Sequence, residues 1–327
     1  MVRFLLRRFA NYFVLVVVAA SLAYFLAASA LNPRSNYADR NPPPPPHVVD
    51  ARLDELNLND KTPAVERFVT WGSGVLRGDF GRTVTGGSVN EEMGRRIGVS
   101  LRLLAIGSIL GGLGGVVAGV ICAVKQYKLS DYAITLVSFL VLSTPVFLLA
   151  VLLKFGALNV NQAVGTPLLY YTGEVTPGLQ AGFWGLALDR LQHLILPTLA
   201  VILPQVAFYS RYQRSAMLDV LGSDFLRTAR AKGLRRRRAL VRHGLRTALI
   251  PLVTFFAYQF GLLFTGAVFT EKIFAWHGMG EWLVDSIYTN DVNAVAAVML
   301  FAAVLVLISG LLADLAYAAL DPRVRIR

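Results

Sequence analysis

The sequence contains little charge and a single cysteine. Charged residues make up 16% of its 327 positions and hydrophobic residues 55%, whereas a soluble domain usually has about 25% charged residues. Because the apolar residues fall in long runs, this shortage of charge excludes an ordinary soluble domain and predicts an integral membrane protein. The lone Cys122 excludes an internal disulfide and a metal site built from several cysteines.

The sequence also lacks the motifs of common catalytic and nucleotide-binding sites. It has no phosphate loop of the form G-x-x-x-x-G-K followed by Ser or Thr, so we expect it not to bind ATP in that manner. It has no H-E-x-x-H and no paired C-x-x-C, and its four histidines are far apart. Acidic residues are nearly missing from the apolar runs, which disfavours a proton or ion relay. We therefore predict no catalytic residue, metal site or cofactor in this chain itself.

Six apolar runs are long enough to cross a membrane, which takes roughly 20 helical residues. They are Phe9–Leu31, Leu101–Val124, Tyr132–Leu158, Leu191–Ser210, Leu249–Thr270 and Val292–Leu320. Pro197 and Pro204 interrupt the fourth run, but membrane helices tolerate prolines. The first run is longer than the apolar part of a signal peptide, so we expect a retained helix. The predicted fold class is an all-α integral membrane protein with six transmembrane helices.

The positive charge is concentrated on one side of the predicted membrane. If the N-terminus is cytoplasmic, the cytoplasmic segments carry 19 of the 32 Lys and Arg residues and few acids. Short cytoplasmic loops of membrane proteins carry this kind of excess, so both termini are predicted to be cytoplasmic. The net charge of +12 then reflects membrane topology, and we expect no nucleic-acid partner.

This topology divides the chain into three parts. They are an N-terminal transmembrane helix at 1–31, an external segment at 32–98 with the proline run Asn41–Pro46, and a five-helix transmembrane domain at 99–327 with a cytoplasmic loop at 211–248. The proline run favours a stiff, extended spacer. A further external loop at 271–291 is rich in aromatic residues, which indicates either a membrane interface or a docking rim for an external partner.

Four glycines recur at every fourth position of the second predicted span. They are Gly107, Gly111, Gly115 and Gly119. Residues at this spacing lie near one another on one side of a helix, and glycines there let the backbone of another helix come close. We predict that this side is a helix-packing interface.

A basic segment, Asp224–Arg246, holds nine Lys or Arg residues and one acid. One interpretation is that it only marks the cytoplasmic side and attracts anionic lipid. The other is a short helix that docks on a partner protein, since Ser223 is a typical helix cap and Gly233 a typical helix end. The small residues Ala229 and Ala231 favour the second interpretation because they permit close approach. After Gly233, an apolar stripe is predicted to lie on the membrane: Leu240, Val241, Leu245, Ala248 and Leu249.

Five stretches resemble one known family in the same order along the chain. They are TARAKGL and RHGLRTALIP within Thr228–Pro251, LRGDFGRTV at 76–84, LQHLILPTLAVILP at 191–204, EKIFAWHGMGEWLVDSI at 271–287 and DLAYAALDPRVRIR at 314–327. The chain resembles the B-type permease of dipeptide and oligopeptide importers, within the binding-protein-dependent ABC importers. Three features depart from the family pattern: the proline-rich insert, His277 in place of a usual proline, and Arg227 near the position of the signature's leading acid.

The resemblance implies that the short helix of the basic segment is a coupling helix, which fits a groove on an ATPase subunit. The residues that it assigns to this helix are Phe225, Leu226, Thr228, Ala229, Arg230, Ala231, Lys232 and Gly233. The resemblance assigns no residue to substrate contact.

The resemblance also implies the ABC importer permease fold and a location in the inner (plasma) membrane of a bacterial cell. The implied function is that of a permease subunit which forms half of the translocation path of an ATP-driven peptide importer and is not catalytic by itself. The implied partners are a second permease, two ABC ATPase subunits or a fused one, an external substrate-binding protein, and membrane lipid. ATP and Mg would be bound by the ATPase subunits.

Two alternative functions stay open at this point. The first is the permease of an ABC importer for nickel or another small solute. The second is a secondary transporter or channel that acts alone, which the scarcity of intramembrane charge disfavours. A membrane-bound enzyme is disfavoured because the sequence shows no catalytic arrangement.

Overall fold

A computed structural model describes residues 2–38 and 41–320. This part of the chain is α-helical, and its one β-type pairing is an isolated bridge between Arg82 and Ser88. The helices are α1 (Val2–Ala30), α2 (Ser35–Ala38), α3 (Pro46–Glu55), α4 (Ala64–Val75), α5 (Val89–Val124), α6 (Leu129–Ser143), α7 (Val146–Val164), α8 (Phe183–Leu221), α9 (Asp224–Ala231), α10 (Arg236–Ala239), α11 (Leu245–Phe274), α12 (Met279–Tyr288) and α13 (Val292–Leu320). A π-helical turn at Leu240–Gly244 joins α10 to α11.

Five stretches of the described chain combine the length and apolar composition needed to cross a membrane. They are Arg7–Ala38, Val89–Val124, Val146–Val164, Phe183–Leu221 and Val292–Leu315. The fifth predicted span lies within α11, which is 30 residues long.

The prediction of one continuous helix over Tyr132–Leu158 is wrong. The structure has two helices there, because α6 ends at Ser143 and α7 begins at Val146. Thr144 between them is extended, with φ −93° and ψ 124°. A residue that precedes a proline is driven out of the helical region by contact with the proline ring, so Pro145 accounts for the break.

The described chain forms two compact units. Unit 1 holds the residues up to Leu101 together with Ala275–Ile308, and unit 2 holds Arg102–Phe274 together with the residues from Ser309 onward. The predicted division at residues 31 and 98 stays a prediction.

In unit 1, the junction between α12 and α13 holds the external segment through two side-chain amides, of which that of Asn293 is buried. The Nδ2 of Asn293 donates to the carbonyl oxygens of Leu56 and Arg82, each at 2.9 Å. The Oδ1 of Asn290 accepts the N–H of Asn32 at 2.9 Å. The bonds from Asn293 are stabilising, because a buried carbonyl without a partner destabilises a fold. Both amides link segments that lie more than 200 positions apart in the sequence.

Asp291 serves the same junction as a helix cap. Its Oδ1 accepts the N–H of Ala294 at 3.0 Å, in the third position of α13, and its Oδ2 accepts the N–H of Val84 at 2.7 Å. Burial raises the pKa of Asp291. One carboxyl group therefore starts α13 and fixes the loop before α5.

The aromatic residues of the predicted loop 271–291 are mostly inside the fold. Trp276 and Trp282 in unit 1 are buried, as is Phe274 in unit 2, whereas Tyr288 is exposed. The indole N–H of Trp276 points at the carbonyl of Val99 at 3.5 Å. These rings form core, and the prediction of an aromatic membrane interface or docking rim is wrong for the three buried ones.

In unit 2, each of the four predicted glycines of α5 lies against one residue of α8. The pairs are Gly107 with Val201, Gly111 with Gln205, Gly115 with Tyr209 and Gly119 with Gln213. A Cβ atom on Gly119 would lie 2.6 Å from the backbone oxygen of Ser210. Both series advance by four residues in the same direction, so α5 and α8 run parallel with their backbones in close contact.

The helices α6 and α7 follow α8 in the opposite direction. Near the start of α6, Asp131 pairs with Arg214 at 2.8 Å, and further along Ser138 Oγ lies 3.2 Å from Ser210 Oγ. The next contacts form an apolar cluster that joins α7 to α8 and α11: Ala150, Ala157, Leu196, Ala200 and Phe274. The two helices together therefore traverse α8 once, from its C-terminal end toward its N-terminal end.

The contact between α5 and α8 predicts opposite effects for two glycine substitutions in one helix. Gly119→Ala should lower the thermal unfolding temperature, because its methyl group overlaps the α8 backbone, a type of overpacking that costs about 1–3 kcal/mol. Gly98→Ala should leave this temperature unchanged or raise it, since no described atom lies within 4 Å of the added methyl and alanine favours a helix by up to about 1 kcal/mol. Thermal unfolding of both purified variants in detergent measures the difference. Equal or higher stability of Gly119→Ala would contradict the contact.

Candidate functional site

The short helix of the basic segment forms where the sequence predicts it. The helix α9 spans Asp224–Ala231, and Ser223 before it is extended, with φ −75° and ψ 146°. Ser223 does not cap the helix with its side chain, contrary to the prediction, because its Oγ donates to the carbonyl of Val220 at 2.6 Å. The carboxylate of Asp224 in the first turn is favourable beside the positive end of the helix dipole.

A glycine in the left-handed conformation ends α9. Gly233 has φ +89°, which costs a glycine little and a side-chain-bearing residue more. The N–H of Gly233 donates to the carbonyl of Arg230 at 3.0 Å, and the N–H of Leu234 donates to that of Ala229 at 3.3 Å. This pair of bonds is the Schellman motif, so the prediction that Gly233 ends the helix is confirmed.

One apolar side chain holds α9 against the rest of unit 2. Leu226 is 6% exposed, whereas Phe225 is 44% exposed. Leu226 and Arg230 line a cavity of 480 Å³ together with Leu218, Leu221 and the neighbouring ends of α5 and the π-helical turn. Phe225 is therefore largely exposed, and Leu226 is the apolar side chain that anchors α9.

The opposite side of α9 is exposed and carries small or basic residues. The members of the predicted set that are exposed there are Phe225, Thr228, Ala231, Lys232 and Gly233. Arg230 is also exposed but lies one turn after Leu226 on the anchored side, and Ala229 is half-buried. Thr228 and Ala231 are three residues apart and therefore share one helix side. This side offers a surface that a partner can approach closely, with positive charge around it.

The segment after α9 packs on α8 rather than on the membrane alone. Leu240 and Ala248 pack in one cluster with Met217 and Val220 of α8. Val241 is 58% exposed. The predicted apolar stripe therefore does not lie on one surface. Leu240 and Ala248 belong to the core of unit 2, and Val241 is exposed.

A partly buried ion pair fixes the end of α8 from which α9 begins. The guanidinium of Arg214 donates to both carboxylate oxygens of Asp131, at 2.8 and 2.9 Å. The N–H of Tyr127 donates to the same carboxylate at 3.0 Å. A bidentate interaction between Arg and a carboxylate is directional as well as strong, so it holds the α5–α6 turn in register with α8. The sequence showed Asp131 only as one acid in a basic loop.

A cavity of 210 Å³ lies at the break between α6 and α7. Leu142 and Val146 line it on either side of the break, and Pro204, Gln205 and Gln259 line it from α8 and α11. Broken helices in membrane proteins occur where the irregular backbone is enclosed by protein or lines a cavity. The signal in the sequence was Pro145, which the prediction of a continuous span overlooked.

The chain matches the family model described as "Binding-protein-dependent transport system inner membrane component" over residues 115–326. The match covers part of the glycine contact, the α6–α7 break and the whole of α9.

Full-length relatives carry names from one class of transport system. The chain is 56% identical over 326 residues to the oligopeptide transport system permease protein OppB of Mycobacterium tuberculosis, and the alignment covers all of both chains. It is 35% identical to the oligopeptide transport system permease protein AppB of Bacillus subtilis, over 90% of this chain and 87% of that protein. It is 33% identical to the dipeptide transport system permease protein DppB of Escherichia coli, over 84% of each. By these matches the chain belongs to the family of binding-protein-dependent transport system inner membrane components.

Proposed function

We propose that this chain is the permease subunit of an ATP-driven importer of peptides and forms half of its translocation path. The names of its relatives, which specify oligopeptide and dipeptide transport, support the substrate class. The observation that carries the proposal is α9: a short helix with a defined end, one buried anchor and a free outer side. A subunit that only formed a pore would need no such element.

The proposed role of α9 is to couple the permease to an ATPase subunit. Eight helical residues are marginally stable alone in water, so α9 depends on the surface that holds Leu226. In this role, a push on the outer side at Thr228 and Ala231 reaches the end of α8 through Leu226, which lines one cavity with Leu218 and Leu221. ATP binding elsewhere can then bias which state of the passage is populated.

The proposed topology has six crossings with both termini in the cytoplasm. Because α5 and α8 run parallel, the chain between them must cross the membrane an odd number of times. The helices α6 and α7 follow α8 in one direction, so they form one broken crossing rather than two. With α1, α11 and α13 the total is six, and the basic α9 region falls on the positively charged side.

The proposed assembly contains a second, similar permease, two ABC ATPase subunits or a fused one, and an external substrate-binding protein in the inner membrane of a bacterium. ATP and Mg bind to the ATPase subunits, and this chain supplies no catalytic group. The alternative substrate is nickel or another small solute, carried by the same type of assembly.

Deletion of this chain should abolish uptake of radiolabelled dipeptides and oligopeptides by intact cells, and expression of the chain should restore it. Nickel uptake measured in the same cells serves as the matched control and should not change. Loss of nickel uptake with normal peptide uptake would select the alternative.

Substitution of the outer side of α9 should uncouple transport. Ala231→Glu places a charge where a partner approaches, so peptide uptake should fall at least tenfold while the amount of chain in the membrane stays unchanged. Leu226→Ala should act similarly by loosening the anchor. Arg242→Ala, at an exposed position outside α9, is the control and should transport normally. Normal uptake by Ala231→Glu and Leu226→Ala would refute the coupling role.

Cysteine labelling in a Cys122→Ser background should place alternate segments on opposite sides of the membrane. Single cysteines are introduced at four exposed positions. Those at 127 and 242 should react with an impermeant maleimide only after the cells are opened, and those at 168 and 288 should react in intact cells. The same labelling pattern at 127 and 168 would exclude a broken crossing by α6 and α7.

A further inference from the structure

The helix α4 exposes an apolar stripe. The stripe continues through the residue after the helix, at spacings of four, three and four: Val65, Val69, Gly72 and Leu76. Residues at these spacings lie one above another along a helix. Val65 is 64% exposed, Val69 62% and Leu76 86%. Three large apolar side chains are thus exposed along one side of α4, and Gly72 between them is half-buried.

A polar stripe runs beside the apolar one, offset by one position. It consists of Glu66, Thr70, Ser73 and Arg77, all exposed. The remaining side of α4 carries Arg67, Phe68 and Trp71, and it faces the protein. A helix with a packed side, an exposed apolar side and an exposed polar side has the pattern of a segment that lies at a membrane surface.

The packed side of α4 contacts α1 well before that helix ends. Ring centroids of Trp71 and Phe68 lie 5.1 and 5.4 Å from that of Tyr24, and Phe68 lies 5.0 Å from Phe25. At 1.5 Å per residue, Tyr24 is about 9 Å before the end of α1 at Ala30. The contact therefore lies within the candidate span Arg7–Ala38, at the level of its apolar residues.

The helix α1 itself exposes large apolar side chains at this level. Leu22 and Leu26, each two residues from Tyr24, are 66% and 69% exposed. A spanning helix presents such residues to lipid. The stripe of α4 is thus an exposed apolar surface at the same depth as residues that face the acyl chains.

We infer that α4 lies in the external interface of the bilayer, with Val65, Val69 and Leu76 against the acyl chains of the outer leaflet. Glu66, Thr70, Ser73 and Arg77 face the headgroups and water. The inference makes lipid the occupant of the stripe. It rests on the orientation of α1 proposed above. A partner helix could also use a four-three-four spacing, but the depth of the α1 contact favours lipid.

This placement gives the external segment two attachments of different kinds. The amides of Asn290 and Asn293 hold it to the start of α13, and the α4 stripe holds it to the bilayer. The external segment is then fixed at the membrane surface.

Spin labels on adjacent positions of α4 test the placement. Val69→Cys and Thr70→Cys are made separately in a Cys122→Ser background, with Val65→Cys and Glu66→Cys as a second matched pair. The full-length chain, in the complex with which it purifies, is placed in nanodiscs of phosphatidylethanolamine and phosphatidylglycerol. Accessibility of each label to molecular oxygen, which concentrates in lipid, is compared with accessibility to a water-soluble nickel complex.

Lipid contact predicts that labels at 69 and 65 are reached by oxygen severalfold better than by the nickel complex, and that labels at 70 and 66 show the reverse. Equal access of the nickel complex to both members of each pair would overturn the inference, because the stripe would then face water. Protection of 69 and 65 from both reagents would also overturn it and assign the stripe to a protein partner. Labelling of position 288 tests the orientation of α1 separately, because the Nδ2 of Asn36, just after α1, donates to the carbonyl of Thr289 at 2.7 Å. Reaction of 288 only in opened cells would show that this orientation is wrong, whatever the result for lipid contact.

Discussion

The close contact between α5 and α8 is the constraint on which the arrangement of unit 2 depends. With glycine at each contact position, no side chain of α5 separates the two backbones, and the four contacts define one register. That register makes the helices parallel, so the segment between them must return across the same distance. The α6–α7 pair does so along α8, and Arg214 and Asp131 fix where it starts. The position of α9 follows, because it begins three residues after α8 ends.

The same contact contains polar side chains that find no partner among the described residues. Gln213 and Tyr209 are fully buried, and neither the amide of Gln213 nor the hydroxyl of Tyr209 has a hydrogen bond there. Glycines on α5 provide close packing but no side-chain donor or acceptor, which explains why these groups stay unpaired. At these glycines the two helices are therefore held by close packing.

The sequence predicted features that depend on neighbouring residues and missed those that depend on packing. The glycine spacing and the end of α9 at Gly233 are local patterns with a direct geometric meaning. The prolines show the limit: Pro197 and Pro204 lie inside the continuous α8, while Pro145 separates two helices. All three remove a backbone donor, so the residue type alone does not distinguish an interrupted helix from a continuous one. Likewise Asn293 and Asp131 gain their roles from residues far away in the chain, so no local pattern distinguishes them.

The size of α9 determines how a force on it can act. A long helix can be stable by itself. The eight residues of α9 are marginally stable alone, so they keep their helical shape only while Leu226 attaches them to the rest of unit 2. Leu226 lines one cavity with Leu218 and Leu221, so α9 is attached beside the end of α8. The end of α8 is in turn tied to α6 by Arg214 and, through Met217, to the segment that starts α11. Under the coupling role proposed above, a displacement of α9 would be shared among helices that also line the cavity at the α6–α7 break.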